Sequence, residues 1–291
     1  MKSNLILSIS DNYNYFHLSR FFKSLFKSGF KGRACLYLGP NTGPNTVRKL
    51  QEIGAEVIRY RSEFPYIDNP HPDNFKSLPN PIHIYNFRHF LYYDYILNHE
   101  TDFGNVLLTD VRDVVFQKDP FDFPIGESLY VAMESREKNV GSCVYNSKWV
   151  LAGYGPEKLS IMADHIVSCA GTTLGPMPHM KRYLHTLLTA ILGLKDAFGC
   201  ADQAVHNELL HSGALRPVCQ LFNEDTPILT VGHEHAFQHD PQGYLLDGRG
   251  RRANTVHQYD RHPGLMKIID KQVFANPLEL YYLKLRYRLL P

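Results

Sequence analysis

Tryptophan occurs once in the 291 residues and cysteine only five times. The five cysteines (Cys35, Cys143, Cys169, Cys200 and Cys219) are scattered, odd in number and never spaced as C-x-x-C. That pattern argues against a disulfide framework and against a cysteine-ligated zinc site. No Asn-x-Ser/Thr acceptor for glycosylation is present. The N-terminal stretch Met1 to Ser10 carries an apolar run too short for a signal peptide or a membrane span. Together these absences place the expected location in the reducing cytoplasm. Neither sign of charge dominates, with 31 Lys and Arg against 29 Asp and Glu and a formal charge of +2. No global field therefore points to nucleic acid, and any polyanion contact has to be local. The chain also lacks internal repeats, low-complexity blocks and a clear linker.

What is present is the composition of a globular α/β protein, 44% hydrophobic and 21% charged. The 18 Tyr and 17 Phe are mostly core material, although tyrosines can also stack on sugars or bases. Leu5 to Ile9 reads as a buried strand, followed by a polar loop, Ser10 to Asn14. An amphipathic helix comes next, with Phe16, Leu18, Phe21, Phe22, Leu25 and Phe26 at helical spacing and Gly29 as its stop. Ala34 to Leu38 and Glu56 to Tyr60 are further strands, with a short helix from Thr46 to Ile53 between them. This rhythm predicts parallel pairing with right-handed crossovers. Residues 61–81, rich in Pro and Asn, read as a loop, and Ile82 to Asn98 as an aromatic helix. Leu129 to Met133 is another strand. A Gly/Pro-marked loop is expected near Gly171 to Pro178, and helices over Met180 to Leu192 and from Cys200 to Leu210.

The most informative stretch runs from Asn105 to Phe121. The apolar run Val106 to Leu108 ends in two acids, Asp110 and Asp113, and a second β-branched run, Val114 to Phe116, follows. Short apolar runs suit buried strands of a parallel sheet, and ligands of open α/β sheets bind where strands end. A carboxylate pair at such an end can hold a hard divalent cation and, through it, nucleotide phosphates. The alternative is that both acids cap the turn that follows. Farther on, Asp202-Gln203 opens a helix that also carries Asn207. Gly243 to His257 reads as a hairpin reversing at Asp247-Gly248, and it delivers His257 into a polar loop.

These residues, in this order, resemble the nucleotide-sugar glycosyltransferases of the GT-A fold. The resemblance rests on Asp110 and Asp113 at a strand end, Asp202-Gln203 with Asn207, and the late His257, and it covers most of the chain. It implies an α/β fold with a Rossmann-like, mostly parallel central sheet flanked by helices, and a smaller C-terminal acceptor-side region containing the hairpin. The whole chain, 1–291, would be one such domain: residues 1–135 for the nucleotide sugar, 136–275 for the acceptor and the rest of the metal site, and 276–291 as a closing helix. The family's metal, Mn2+ or Mg2+, would be held by Asp110, Asp113 and His257. The donor would meet Ser8, Ser10, Asp11, Arg88, Asp110 and Arg112, and catalysis would fall to Asp202 and Gln203. The family's acidic motif has one residue between its acids, whereas this chain has Val111 and Arg112. On a continuing strand the acids would face opposite ways, so the motif requires a turn after Asp110.

Each of these residues has a plainer alternative. Asp202 also suits a helix-capping acid, and Arg88 a solvated arginine whose stem covers apolar surface. Arg112 could pair with Asp110 instead of a diphosphate. His233, His235 and His239 form a rival cluster for zinc. Gly171-Thr-Thr173 suits sugar hydroxyls or a plain turn, and Arg249, Arg251 and Arg252 a basic rim or a solvated turn. Gly248-x-Gly250 is no dinucleotide fingerprint, because it lacks a third glycine and opens no helix. The expected activity is transfer of a sugar from a nucleotide diphosphate sugar to a saccharide acceptor. A nucleotidyltransferase of sugar phosphates and a catalytically inactive nucleotide-sugar-binding module are the alternatives, although the N-terminal loop lacks the glycines usual in nucleotidyl transfer. The closing segment, Leu278 to Leu290, is a Tyr- and Leu-rich helix bearing Lys284, Arg286 and Arg288. It either packs with its cations outward or makes weak peripheral contact with an anionic membrane.

Overall fold

The computed structural model describes residues 2–60, 83–194, 199, 201–274 and 276–289. The loop expected over residues 61–81, and Cys200, lie outside the described residues. Strands β1 (Ser3–Ser10), β2 (Arg33–Leu38), β3 (Glu56–Arg59) and β4 (Phe103–Thr109) alternate with helices α1 (Tyr15–Lys27), α2 (Pro44–Glu52) and α3 (Ile84–Asn98). The middle of the chain forms β5 (Val114–Phe116), β6 (Leu129–Met133), α4 (Val144–Tyr154), α5 (Pro156–Met162), β7 (Ser168–Pro176), α6 (Met177–Leu192) and α7 (Ala201–His211). Strands β8 (Val218–Leu221), β9 (Ile228–Thr230), β10 (Gln238–His239), β11 (Leu245–Leu246) and β12 (Thr255–His257) follow, and α8 (Pro263–Val273) and α9 (Pro277–Leu289) close the chain. The fold is α/β, with a mostly parallel central sheet of seven strands in the order β3-β2-β1-β4-β7-β6-β8. Contacts divide the chain into two compact units interleaved in sequence. The first comprises Met1–Asn4, Arg61–Leu108 and Ile125–Gln220, and the second Leu5–Tyr60, Thr109–Pro124 and Leu221–Pro291.

In the second unit β1, β2 and β3 pair in parallel, with Leu7 opposite Cys35 and Leu36 opposite Val57. Helix α1 forms because Leu18, Phe21, Phe22 and Leu25 recur at helical spacing and are all buried. The Asn14 side chain accepts from Phe16 N at its start, and Gly29, at φ +90, takes the left-handed turn beyond its end. A smaller sheet orders β5-β12-β9. Beneath it Val115, Val256, Tyr259, Leu265 and Ile269 share one core. The expected hairpin is only partly as read. The chain does reverse at Asp247, whose N–H donates to Arg251 O, and Leu246 bridges Arg252. The strand that follows, however, pairs with β5 and β9. Long-range pairing sets Val256 opposite Val115 and Leu229, all three buried in one core.

In the first unit β6 pairs antiparallel with β7. The loop expected near Gly171 to Pro178 is instead the second half of β7, buried along its whole length, followed directly by the first turn of α6. Pairing with β6 overrides its glycine and proline content. At Gly175 a Cβ would lie 3.3 Å from Ser128 O, so the bare backbone allows the close approach. The register jumps at Val131/Ala132: Val131 faces Thr173 but Ala132 faces Cys169, so β7 bulges between them.

One buried ion pair of the second unit spans almost the whole sequence. Arg20 Nε donates to Asp270 Oδ1 at 2.7 Å and Nη2 to Oδ2 at 3.2 Å, with the guanidinium over the Phe16 ring. Replacing Asp270 by alanine would strand a buried guanidinium, so Asp270→Ala should cost about 3 kcal/mol. Urea unfolding of Arg20→Ala, Asp270→Ala and the double variant checks this, with the double variant losing less than the sum of the singles.

Candidate metal centre

The centre is built by a bend and a strand. After Thr109 ends β4 the chain bends through Val111 to Asp113 before β5 begins. Val111 is buried, which anchors the bend and carries Asp110 and Asp113 to one side. Strand β12 then fixes the third member: His257 lies opposite Val114 of β5 and Thr230 of β9. Gln258, held in the left-handed region at φ +65, donates its backbone N–H to Asp113 O at 2.8 Å. Its side chain lies against Gly232, where a Cβ would stand 2.0 Å from Gln258 Oε1 and push that side chain aside.

The result is a group of two carboxylates and one imidazole whose ligand atoms lie within 4.8 Å of one another. His257 Nε2 is 3.6 Å from Asp110 Oδ2 and 3.8 Å from Asp113 Oδ2. These separations are too long for hydrogen bonds. An ion about 2.1 Å from each donor would set adjacent donors about 3 Å and opposite donors about 4 Å apart, so the spacing suits a shared ion. Two hard oxygens and an imidazole fit a divalent cation and do not choose among the candidates. Among the described residues no other group of His, Cys, Asp and Glu meets this spacing, so His233, His235 and His239 do not assemble as a rival. Burial pushes the Asp113 carboxyl up to about 6, with the charges of Asp110 and Asp260 adding to the rise and His257 opposing it.

The other predicted residues of this unit surround the cluster or support it. Arg112 pairs with Asp260 at 2.8 Å, and its side chain is more than half exposed. The hydrogen bond that Arg112 donates to Tyr13, ahead of the charges of Asp260 and Asp113, raises its pKa against the opposing effect of burial. Tyr259 Oη donates to Arg112 O at 3.1 Å, fixing the backbone between the two acids. Ser8 donates from Oγ to Thr109 O at 2.8 Å and so ties the end of β1 to the residue before Asp110. Ser10 is buried. Asp11 presses against Gly39, where a Cβ would lie 2.1 Å from Asp11 Oδ1. Sequence reasoning missed Tyr13 and Asp260. Asp260 carries a signal, three residues past His257 in the same polar loop, whereas nothing local marks Tyr13.

Arg88, Asp202 and Gln203 belong to the first unit, where they join a buried polar network. Arg88 Nη2 donates to Asp202 Oδ2 at 2.8 Å, and His89 Nε2 lies 3.2 Å from the same oxygen. Burial alone would raise the Asp202 carboxyl, but Arg88 and His89 outweigh it and hold the group below its ordinary range. Arg88 is thus buried and ion-paired, not a solvated arginine. Gln203 Oε1 accepts from Ala170 N, and its Nε2 donates to Ser168 O and Asn146 Oδ1. Thr172 and Thr173 are buried within β7, so neither the sugar-facing nor the turn reading of this segment describes it. Arg251 pairs with Asp225 and Asp247, Arg249 with Asp225, and Arg252 with Asp240. No protein-family model matches the chain, and no curated protein matches it.

The raised carboxyl sets a pH dependence. The folded chain keeps a proton on Asp113 that the unfolded chain has already released above its ordinary value of 3.8. Metal-free stability should therefore fall as pH rises from there to about 6. A divalent cation binds the deprotonated native cluster and should restore stability above that range. Thermal unfolding with and without manganese, near pH 5 and near pH 7.5, is the check. The shift should be larger at the higher pH, and a larger shift at the lower pH would exclude the site.

Proposed function

We propose that the protein is a metal-dependent glycosyltransferase that moves a sugar from a nucleotide diphosphate sugar to a saccharide or glycan hydroxyl. The observation supporting it is the Asp110–Asp113–His257 cluster, placed where β4 ends in an α/β fold. Ligands of such folds sit beyond the carboxyl ends of the strands. When bound, a manganese or magnesium ion would neutralise the developing charge of the leaving diphosphate.

The protein's own side chains have separable tasks in this reading. Asp113, just before β5, and His257, on the paired strand β12, would hold the ion, with Asp110 as the second carboxylate. Arg112 keeps its charge at any working pH and, exposed and next to Asp113 in the chain, would offset diphosphate charge. Asp11, following the last residue of β1, would hold the nucleoside. Asp260 pairs with the Arg112 guanidinium at 2.8 Å and so restrains where that exposed cation sits.

Turnover of a radiolabelled nucleotide sugar, with and without chelator, tests the reading. Chelation and Asp113→Asn should each abolish transfer, and His257→Ala should weaken donor and metal binding by about 100-fold. His233→Ala should leave the reaction intact. Near-normal transfer by Asp113→Asn with unchanged manganese dependence would refute the proposal. Release of pyrophosphate from a nucleoside triphosphate would replace it with nucleotidyl transfer, and metal-dependent binding without turnover with a binding module.

A further inference from the structure

Helix α9 is apolar on two opposite sides. Leu283 is buried and Leu280 half-buried on one of them, and Glu279 pairs with Lys23 of α1 at 2.6 Å, so the helix is docked on the second unit. On the opposite side Leu278, Tyr281, Tyr282 and Leu285 are 71, 61, 56 and 42% exposed. Their spacing of three and four residues sets them on a single stripe about 100° wide. Lys284 lies along one flank of this stripe. Arg286 lies along the other, its Nη1 donating to Tyr282 Oη at 3.3 Å. Glu279 is the only acid between Pro277 and Pro291, and it is already paired.

From this stripe we infer that α9 seats the protein on an anionic membrane surface, lying flat in the headgroup layer. Three features select that occupant. The stripe ends in tyrosines and leucines, the side chains that enter the boundary between headgroups and acyl chains. Lysine and arginine stand on both flanks, where their stems can lie along the apolar boundary while their charges meet anionic headgroups. The stripe exposes on the order of 450 Å2 at about 200 Å2 per side chain, well short of the roughly 800 Å2 per partner of a stable protein interface. A second copy of the chain is therefore a poor match, whereas partial insertion needs only such a strip. No described helix is long and apolar enough to cross a membrane, which leaves the in-plane orientation. The inference is independent of the chemistry at Asp110, Asp113 and His257.

Co-sedimentation of the full chain with phosphatidylcholine vesicles, with and without phosphatidylserine, tests it at low and high salt. The protein should pellet with the anionic vesicles at low salt, stay in the supernatant with neutral ones, and be released by high salt. Tyr281→Ser/Leu285→Ser and Lys284→Glu/Arg286→Glu should each cut binding at least tenfold. All four positions are exposed, or in the case of Arg286 half-buried, and thermal unfolding establishes that the variants remain folded. Amide exchange in α9 should slow on adding anionic vesicles, a readout that needs no variant. A chain that stays in solution at low salt, or binds neutral vesicles equally, overturns the inference. So does wild-type binding by both variants, or concentration-dependent dimerisation that Tyr281→Ser/Leu285→Ser abolishes while vesicle binding persists.

Discussion

Two carboxylates brought together repel each other, and everything around Asp110 and Asp113 serves to keep them close. The restraint is not an ion pair between them but the pairing of β12 with β5. That ladder sets His257 opposite Val114, and the Gln258 amide then closes on the Asp113 carbonyl. Tyr259 holds the Arg112 carbonyl from below, and buried Val111 pins the bend from within. Backbone hydrogen bonds and apolar packing thus bear the repulsion between the acids. The electrostatic cost remains visible in the raised Asp113 carboxyl.

Another buried acid serves for comparison, and it moves the other way. Asp202 is deeply buried, yet Arg88 and His89 hold its carboxyl below the ordinary range. Arg20 and Asp270 likewise satisfy each other with two hydrogen bonds. Acids matched by cations in this way are structural by default. Asp113 differs because its nearest acidic neighbours, Asp110 and Asp260, add to its burial instead of offsetting it. A charged group held in an environment that disfavours its charge is the pattern expected where a ligand completes the electrostatics.

The parts legible in the sequence are those written in short-range pattern. The first strands, α1, the aromatic helix and the acids ending β4 follow from runs and spacing within a dozen residues. Asp110, Asp113 and His257 could be chosen as one set, but only a strand partnership between residues 114 and 257 brings them together. The pairing of Arg112 with Asp260 joins positions 148 residues apart and leaves no local trace. Helices α4, α5 and α8 went unread. The weakly patterned stretch from Val144 to Met162 becomes helical by burying Val150 and Met162 against Val140 and Val167, which is a tertiary reason. In β7, glycine and proline pointed to a loop, and the pairing of Leu174 with Tyr130 decided for a strand.

The bulge in β7 also accounts for the run Asp202-Gln203 with Asn207. Where Ala132 slips from Thr172 to Cys169, residues Ala170 to Thr172 leave the regular ladder, and buried amides there and at the start of the strand need other partners. Gln203 and Asn207 stand one turn apart on α7 and supply them. Gln203 Oε1 accepts from Ala170 N, Asn207 Oδ1 accepts from Ser168 N, and both side-chain amides donate to Ser168 O. Asp202, next in sequence, points instead to Arg88 and His89. Helix α7 thus repairs an irregular strand with one face and neutralises a buried arginine with the next. Any chemistry assigned to Asp202 and Gln203 therefore has to coexist with these bonds, because breaking either set would strip buried backbone or a buried cation of its partner.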